Sequence, residues 1–460
     1  MKRFRAVGLA VMLALTASSP VRAFSLLGIW DTWQTPAIGY QISPGRQDIG
    51  GPMGLTEGYR WNVPVITYAF DRSFLLYFGQ RGVEEVEKAI AIFNALPPVS
   101  NLSSNLTEFP LDAKRVNYQA QALGVWDLKS TTMEYLIELL GLAQPERWAF
   151  CLRARQLQTV GNTTVTNYLV IQRNFDPVTW VPTRLVNGTA YSYQVLEPLR
   201  PGDYADAIEF VTDPLALTYT SVAAQNSVAG QYFTGLTRDD VGGLRYLYRY
   251  HNFAVENLAA GVTNGLGGGT GGGYMIWWPT NATLQTNFWG GTGTNTIQTT
   301  GLRPGIEKIT FQRVDYDSLL GQQLVPYTHY YTDLVITNFV AYPQYVARTV
   351  TTPDILFTAE DLGVTGGVPM PVAIERNVTF TSNDALNGTT TQAGPGTLSG
   401  PAIISFTTLL PAFLNDDTYF DEANASRTAV WGAFDGTTNA PVVFPSILSI
   451  QYIEQQVQSR

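Results

Sequence analysis

The sequence predicts an α+β first half followed by a β-rich, sandwich-like second half, and three observations carry that prediction. Amphipathic helical spacing is concentrated before about residue 250. A glycine tract, Thr263 to Gly273, then interrupts the chain and reads as a flexible boundary. Beyond it, short Val/Ile/Thr/Tyr/Phe runs alternate with Gly, Pro, Asn and Asp turns to the end, with hardly any helical period.

The elements follow in order. Lys2, Arg3 and Arg5 precede an apolar run, Ala6 to Ala17, which Ser18, Ser19 and Pro20 break before Val21-Arg22-Ala23. A basic head, an apolar run too short for a bilayer and a small-residue exit are the pattern of an export signal over residues 1–23, with cleavage expected after Ala23. Residues 24–58, rich in Trp, Pro, Gly and Gln, read as an extended arm packing through Trp30 and Trp33. The α+β unit is expected over 59–256. It opens with a strand at Trp61 to Phe70 and a helix at Gly82 to Leu96, where Val83, Val86, Ile90 and Phe93 share a face and Pro97-Pro98 stops it. A second helix is expected from Thr131 to Leu140, with Thr131 and Glu134 as a capping box and Gly141 as its end. Strands are expected at Asn167 to Arg173 and Ala190 to Leu196, and a third helix starts at Thr237, capped with Asp240. Residues 257–273 form the boundary. Residues 274–460 form the β-rich domain, with strands at Lys308 to Phe311, Asp333 to Tyr342, Ala402 to Thr407 and Val442 to Tyr452.

Composition removes several functions. A formal net charge of −9 argues against binding nucleic acid, whose backbone calls for clustered Lys and Arg. Charged residues are 14% and aromatics 12%, so the surface relies on uncharged polar and aromatic groups more than on ion pairs. The single cysteine, Cys151, allows no intrachain disulfide, and its apolar surroundings read as core. Without disulfides, an exported chain is held by its core or by assembly. The eight Asn-x-Ser/Thr sequons offer glycan acceptors, but with a bacterial-looking signal the abundance of Asn and Thr is the preferred cause. After leader removal no transmembrane segment is expected.

Gly235 to Arg249 (GLTRDDVGGLRYLYR) resembles the closing helix of matrixin-type metzincins, and Arg60 to Phe70 (RWNVPVITYAF) with its following helix is similar to the opening of the same fold. The resemblance covers the two ends of residues 59–256 and implies a zincin-like domain there. Such an enzyme needs His-Glu-x-x-His and a further histidine, so that three imidazoles hold zinc and Glu activates its water. The chain has two histidines, His251 and His329, and no such motif. The expectation is a degenerate, inactive domain. Glu134 stands where the catalytic Glu would be, with Met133 and Ile137 in the ligand places; the same three also read as a capping acid and two core side chains.

No Gly-x-Ser-x-Gly elbow occurs. Asp315 with Asp317, Asp416 with Asp417, and Asp421 with Glu422 are the densest acidic spots; they read as turn acids, with a calcium site at 416–422 as the alternative. Trp277, Trp278, Trp289, Tyr327, Tyr330 and Tyr331 suit either a core or a face that contacts glycan or protein. No catalytic, metal or cofactor residue is assigned. The expected function is a secreted, non-catalytic binding or assembly protein of the extracellular space, periplasm or cell surface. The alternatives are a hydrolase using carboxylates and a zincin-family enzyme with an atypical metal set.

Overall fold

A computed structural model describes residues 23–27, 54–55, 58–196, 206–264, 297–337, 340–359, 375–379, 396–406 and 430–445. The expected contacts of Trp30 and Trp33, most of the glycine tract, the three tryptophans at 277, 278 and 289 and the acids at 416–422 lie outside these residues.

The core is built on a mostly parallel sheet: β1 (Tyr59–Trp61), β2 (Val65–Phe70), β3 (Thr310–Arg313), β4 (Ile355–Thr358), β5 (Glu375–Thr379) and β6 (Gly396–Ser405). Its order is β3-β2-β4-β6-β1, all parallel, with β5 antiparallel on β6. Five of the six β2 residues are buried, as suits a strand covered on both faces. Helix α1 (Arg72–Asn94) starts at Asp71, whose carboxylate accepts the Phe74 N–H at 2.9 Å. It breaks at Gly79 (φ 60°), a backbone conformation costly for other residues. Its first segment sets Phe74 and Phe78 against Phe406 of the sheet, with ring centroids 5.8 and 5.7 Å apart. Helix α2 (Tyr118–Leu123) is short. Helix α3 (Leu128–Leu139) adds Tyr135 to the same aromatic group, and α4 (Arg238–Tyr248) packs against the β1 side. One buried apolar cluster runs from Phe24 to Phe444.

The zincin-like α+β unit expected at 59–256 is not what forms. Strands outweigh helices by about two to one, spread over eight sheets with no closed barrel among the described residues. The expected opening strand, β2, takes both its neighbours from the second half of the chain, where a zincin-like unit would supply them from within 59–256. The sandwich expected over 274–460 is corrected by the same pairings: β3, β4 and β6 are parallel strands in the sheet of β1 and β2, with a helix against it. Pairing therefore crosses the expected boundary at 257–273. A second, antiparallel sheet does so too, ordered Ala254–Asn257, Thr300–Arg303, Tyr327–Thr337, Val340–Val350 and Val262–Asn264.

Two buried charge clusters lock these crossings. Arg348 and Asp354 form a bidentate pair (2.6 and 3.0 Å), and Asp354 also accepts the N–H and hydroxyl of Thr67 on β2 at 2.9 Å. Arg60 is fully buried, pairs with Glu256 at 3.2 Å and donates to the carbonyls of Leu247, Asn252, Arg303 and Pro304. Among the described residues no helix is long and apolar enough to cross a membrane.

Candidate interaction surface

Two of the acids that sequence reasoning weighed for chemistry, Glu134 and Asp317, are spent on structure. Asp127, not Thr131, caps α3, accepting the Ser130 N–H at 2.9 Å; Thr131 lies buried inside the helix. Glu134 therefore sits past the first turn and caps nothing. Its carboxyl accepts the N–H and hydroxyl of Ser227 at 3.0 and 2.7 Å, and Glu138, one turn on, accepts the Gln225 amide at 2.9 Å. The capping box of α4 does form: Thr237 and Asp240 bond reciprocally. Asp240 further accepts the N–H groups of Val222 and Ala223 at 3.1 and 2.9 Å, and Asp239 accepts that of Asn187 at 2.6 Å. Four inward carboxyls thus hold the loop segments at 187 and 222–227 onto two helices.

Burial sets their protonation. Desolvation, opposed by the Ser227 hydrogen bonds, pushes Glu134 up to about 8. Burial likewise pushes Glu146 to about 8 and Asp127 to about 6. A neutral carboxyl near pH 7 is suited to acid catalysis, yet Glu134 is wholly enclosed, between Met133 and Ile137 that are themselves core. Among the described residues, no group of three or more His, Cys, Asp and Glu side chains is placed to hold a metal. His251 is exposed beside Tyr250 and Phe253, while His329 stacks between Tyr327 and Tyr331 at 5.8 and 5.2 Å. Cys151 is buried. Asp317 accepts the Leu319 N–H at 2.8 Å, a turn role.

The exposed features lie elsewhere. Cys151–Val160 and Thr163–Ile171 form a two-stranded hairpin with no third strand bonded to it among the described residues. Gly161 (φ 65°) supplies the left-handed backbone that its two-residue turn needs. The base is anchored through buried Cys151 and Leu152, while residues 156 to 165 are all exposed. Between Arg155 and Arg173 no residue is charged and none is proline. Val160, Val165 and Leu169 share one face and Leu157 lies on the other; all four are exposed, Leu157 to 62% and Leu169 to 55%. The Tyr327–Val350 hairpin likewise turns Tyr330 and Tyr345 outward, among Thr328, Thr332 and Thr349, while Tyr327 and Tyr331 stay half-buried on its other face.

Sequence reasoning missed this hairpin as a surface, although the uncharged stretch 156–172 was its visible signal. No protein-family model, curated protein or solved structure matches the chain.

Proposed function

We propose that this is an exported, non-catalytic assembly protein, with the Cys151–Ile171 hairpin as the element that contacts a second copy of the chain. The observation that carries this is the hairpin's uncharged, apolar-studded outer part, residues 156–165, whose strands are bonded only to each other among the described residues, while its base packs against Asp206–Val211. Exposed edges are ordinarily protected by Lys, Pro or bulges, because free backbone donors and acceptors template another strand. This hairpin has none of those safeguards beyond its base, where a single register shift lies at Leu152/Ala154. The chain as a whole carries −9, so two copies repel over most of their surface, and an uncharged arm is where they approach at least cost. Strand addition between hairpins then supplies main-chain hydrogen bonds and covers Leu157, Val160, Val165 and Leu169. The leader pattern supports export, and the absence of any possible intrachain disulfide makes assembly a useful source of stability outside the cell.

A carboxylate hydrolase finds less support, because Glu134, Glu138, Asp239 and Asp240 are committed to loop anchoring. Light scattering after gel filtration tests the proposal. The unaltered chain is expected to gain mass with concentration, and Leu157→Lys/Val165→Lys is expected to stay monomeric with an unchanged fold. A parent that is monomeric throughout, or turnover in a screen of glycan and peptide substrates, would overturn it.

A further inference from the structure

The residues that follow the expected leader are built into the interior. Ala23 to Leu27 are all buried, and Ser25–Leu26 pairs antiparallel with Leu142–Ala143. Phe24 exchanges backbone hydrogen bonds with Phe175 at 2.9 and 2.8 Å. Its ring lies 5.5 Å from that of Tyr246 on α4, and a Cβ on Gly243 would come within 3.0 Å of the Phe24 Cβ. Asp239 is one helical turn before Gly243 and so shares its face. Burial pushes the Asp239 carboxyl well above the usual carboxylate range; the backbone N–H groups of Asn187 and of the preceding residue, Ala23, oppose that shift, yet Oδ1 of Asp239 is left without a hydrogen-bond partner. Asp239 is only 1% exposed. The ionisable groups acting most strongly on it are Asp240 on its own helix and Glu146 from the segment after Leu142–Ala143, and both are acids. A buried carboxylate ringed by acids is costly unless a cation meets it.

We infer that the α-ammonium of Phe24, released when the Ala23–Phe24 bond is hydrolysed, is the buried counter-ion of Asp239. Water supplies the oxygen of the new Ala23 carboxylate, and both of its protons end on the Phe24 nitrogen, turning the amide N–H into an ammonium. The inference rests on the export reading above. An ammonium has three donors where the amide has one: one keeps the Phe175 carbonyl, and the others turn into the space that Ala23 vacates beside Asp239. Processing thereby completes the core, and the mature chain is more stable than its precursor.

The test uses the full processed chain recovered after export from a bacterial host. N-terminal sequencing comes first and is expected to begin at Phe24; another start would overturn this inference together with the expected processing. An amine-reactive reagent is then applied near pH 8 to native and to denatured protein. The Phe24 amine is expected to react at least about tenfold more slowly in the native state, because only opening exposes it. A correct start with equal native and denatured reactivity would overturn the ion pair and leave the export reading standing. Asp239→Asn should remove the protection; if that variant fails to fold, the labelling of the unaltered chain still decides. Pairing holds the α-amine proton above the ~8 of a free α-amino group. Its stabilisation is therefore present below that pH and lost as pH rises through the paired value. That alkaline loss should be absent in a folded Asp239→Asn protein.

Discussion

Around α3 and α4 the chain buries acids among backbone donors, whereas along the Cys151–Ile171 hairpin it exposes uncharged and apolar side chains to water. In the first region each of Glu134, Glu138, Asp239 and Asp240 meets an N–H or amide from a loop distant in sequence. In the second, ten consecutive residues (156–165) are exposed and the outer strands bond only to each other among the described residues. Carboxyls alone do not mark chemistry here, because these four acids each accept a hydrogen bond that anchors a loop, and strand propensity alone does not mark a core. The hairpin places β-branched residues where water, not core, meets them.

The comparison can be broken most severely by cutting the chain. The fragment Tyr274–Arg460 should be unfolded by circular dichroism and amide dispersion, because β3 and β4 need β2 between them. Cooperative melting of that fragment would restore the two-unit division. Next comes Asp354→Ala, which leaves Arg348 buried without its carboxylate; breaking a buried pair this way costs about 3–5 kcal/mol. Denaturant titration reads it directly, and a loss under about 1 kcal/mol would place the locking elsewhere.

Glu134 sharpens the interior half of the comparison. Near neutral pH it is largely protonated, so Glu134→Gln should cost little, whereas Glu134→Ala leaves the Ser227 N–H unpaired at about 1–3 kcal/mol. Equal losses for both would mean that the charge itself matters. The same shifts give a pH dependence. The folded chain keeps the Glu134 and Glu146 protons to about pH 8, while the unfolded chain releases them near their ordinary value of 4.5. Over that window the native state binds more protons, so stability should fall as pH rises from about 5 to 8. Glu134→Gln with Glu146→Gln should flatten that slope in thermal melts. On the hairpin, Leu157→Lys should shift monomer stability by no more than about 0.5 kcal/mol, as exposed positions do. A larger loss would show that the arm is packed rather than free.

What was legible in the sequence was local. The Thr237–Asp240 box, the Pro97-Pro98 stop and the Val83-Val86-Ile90-Phe93 face announce themselves within one or two helical turns. The first segment of α1 was legible too, in Asp71, Phe74 and Phe78 at capping and i,i+4 spacing, but Gly79 divides the pattern and hides it. The start of α3 was misread because Asp127 with Ser130 competes with Thr131 and Glu134, and only packing chooses between them. The sheet order was not legible. β2 pairs with strands hundreds of residues away, and hydrophobic runs carry no address. The resemblance to metzincins rested on a capped helix and a strand, which recur in unrelated architectures. Arg60 gave no sign that five interactions converge on it.

The most direct test of hairpin-mediated assembly is hydrogen exchange at residues 156–165 measured at low and at high protein concentration. Edge amides of residues 156–165 have no strand partner among the described residues and are expected to exchange fast in a single copy; strand addition buries them in new backbone bonds. The account predicts slow exchange along the hairpin edges in concentrated protein, fast exchange on dilution, and fast exchange at both concentrations in Leu157→Lys/Val165→Lys. Identical exchange at every concentration in the unaltered chain would contradict it.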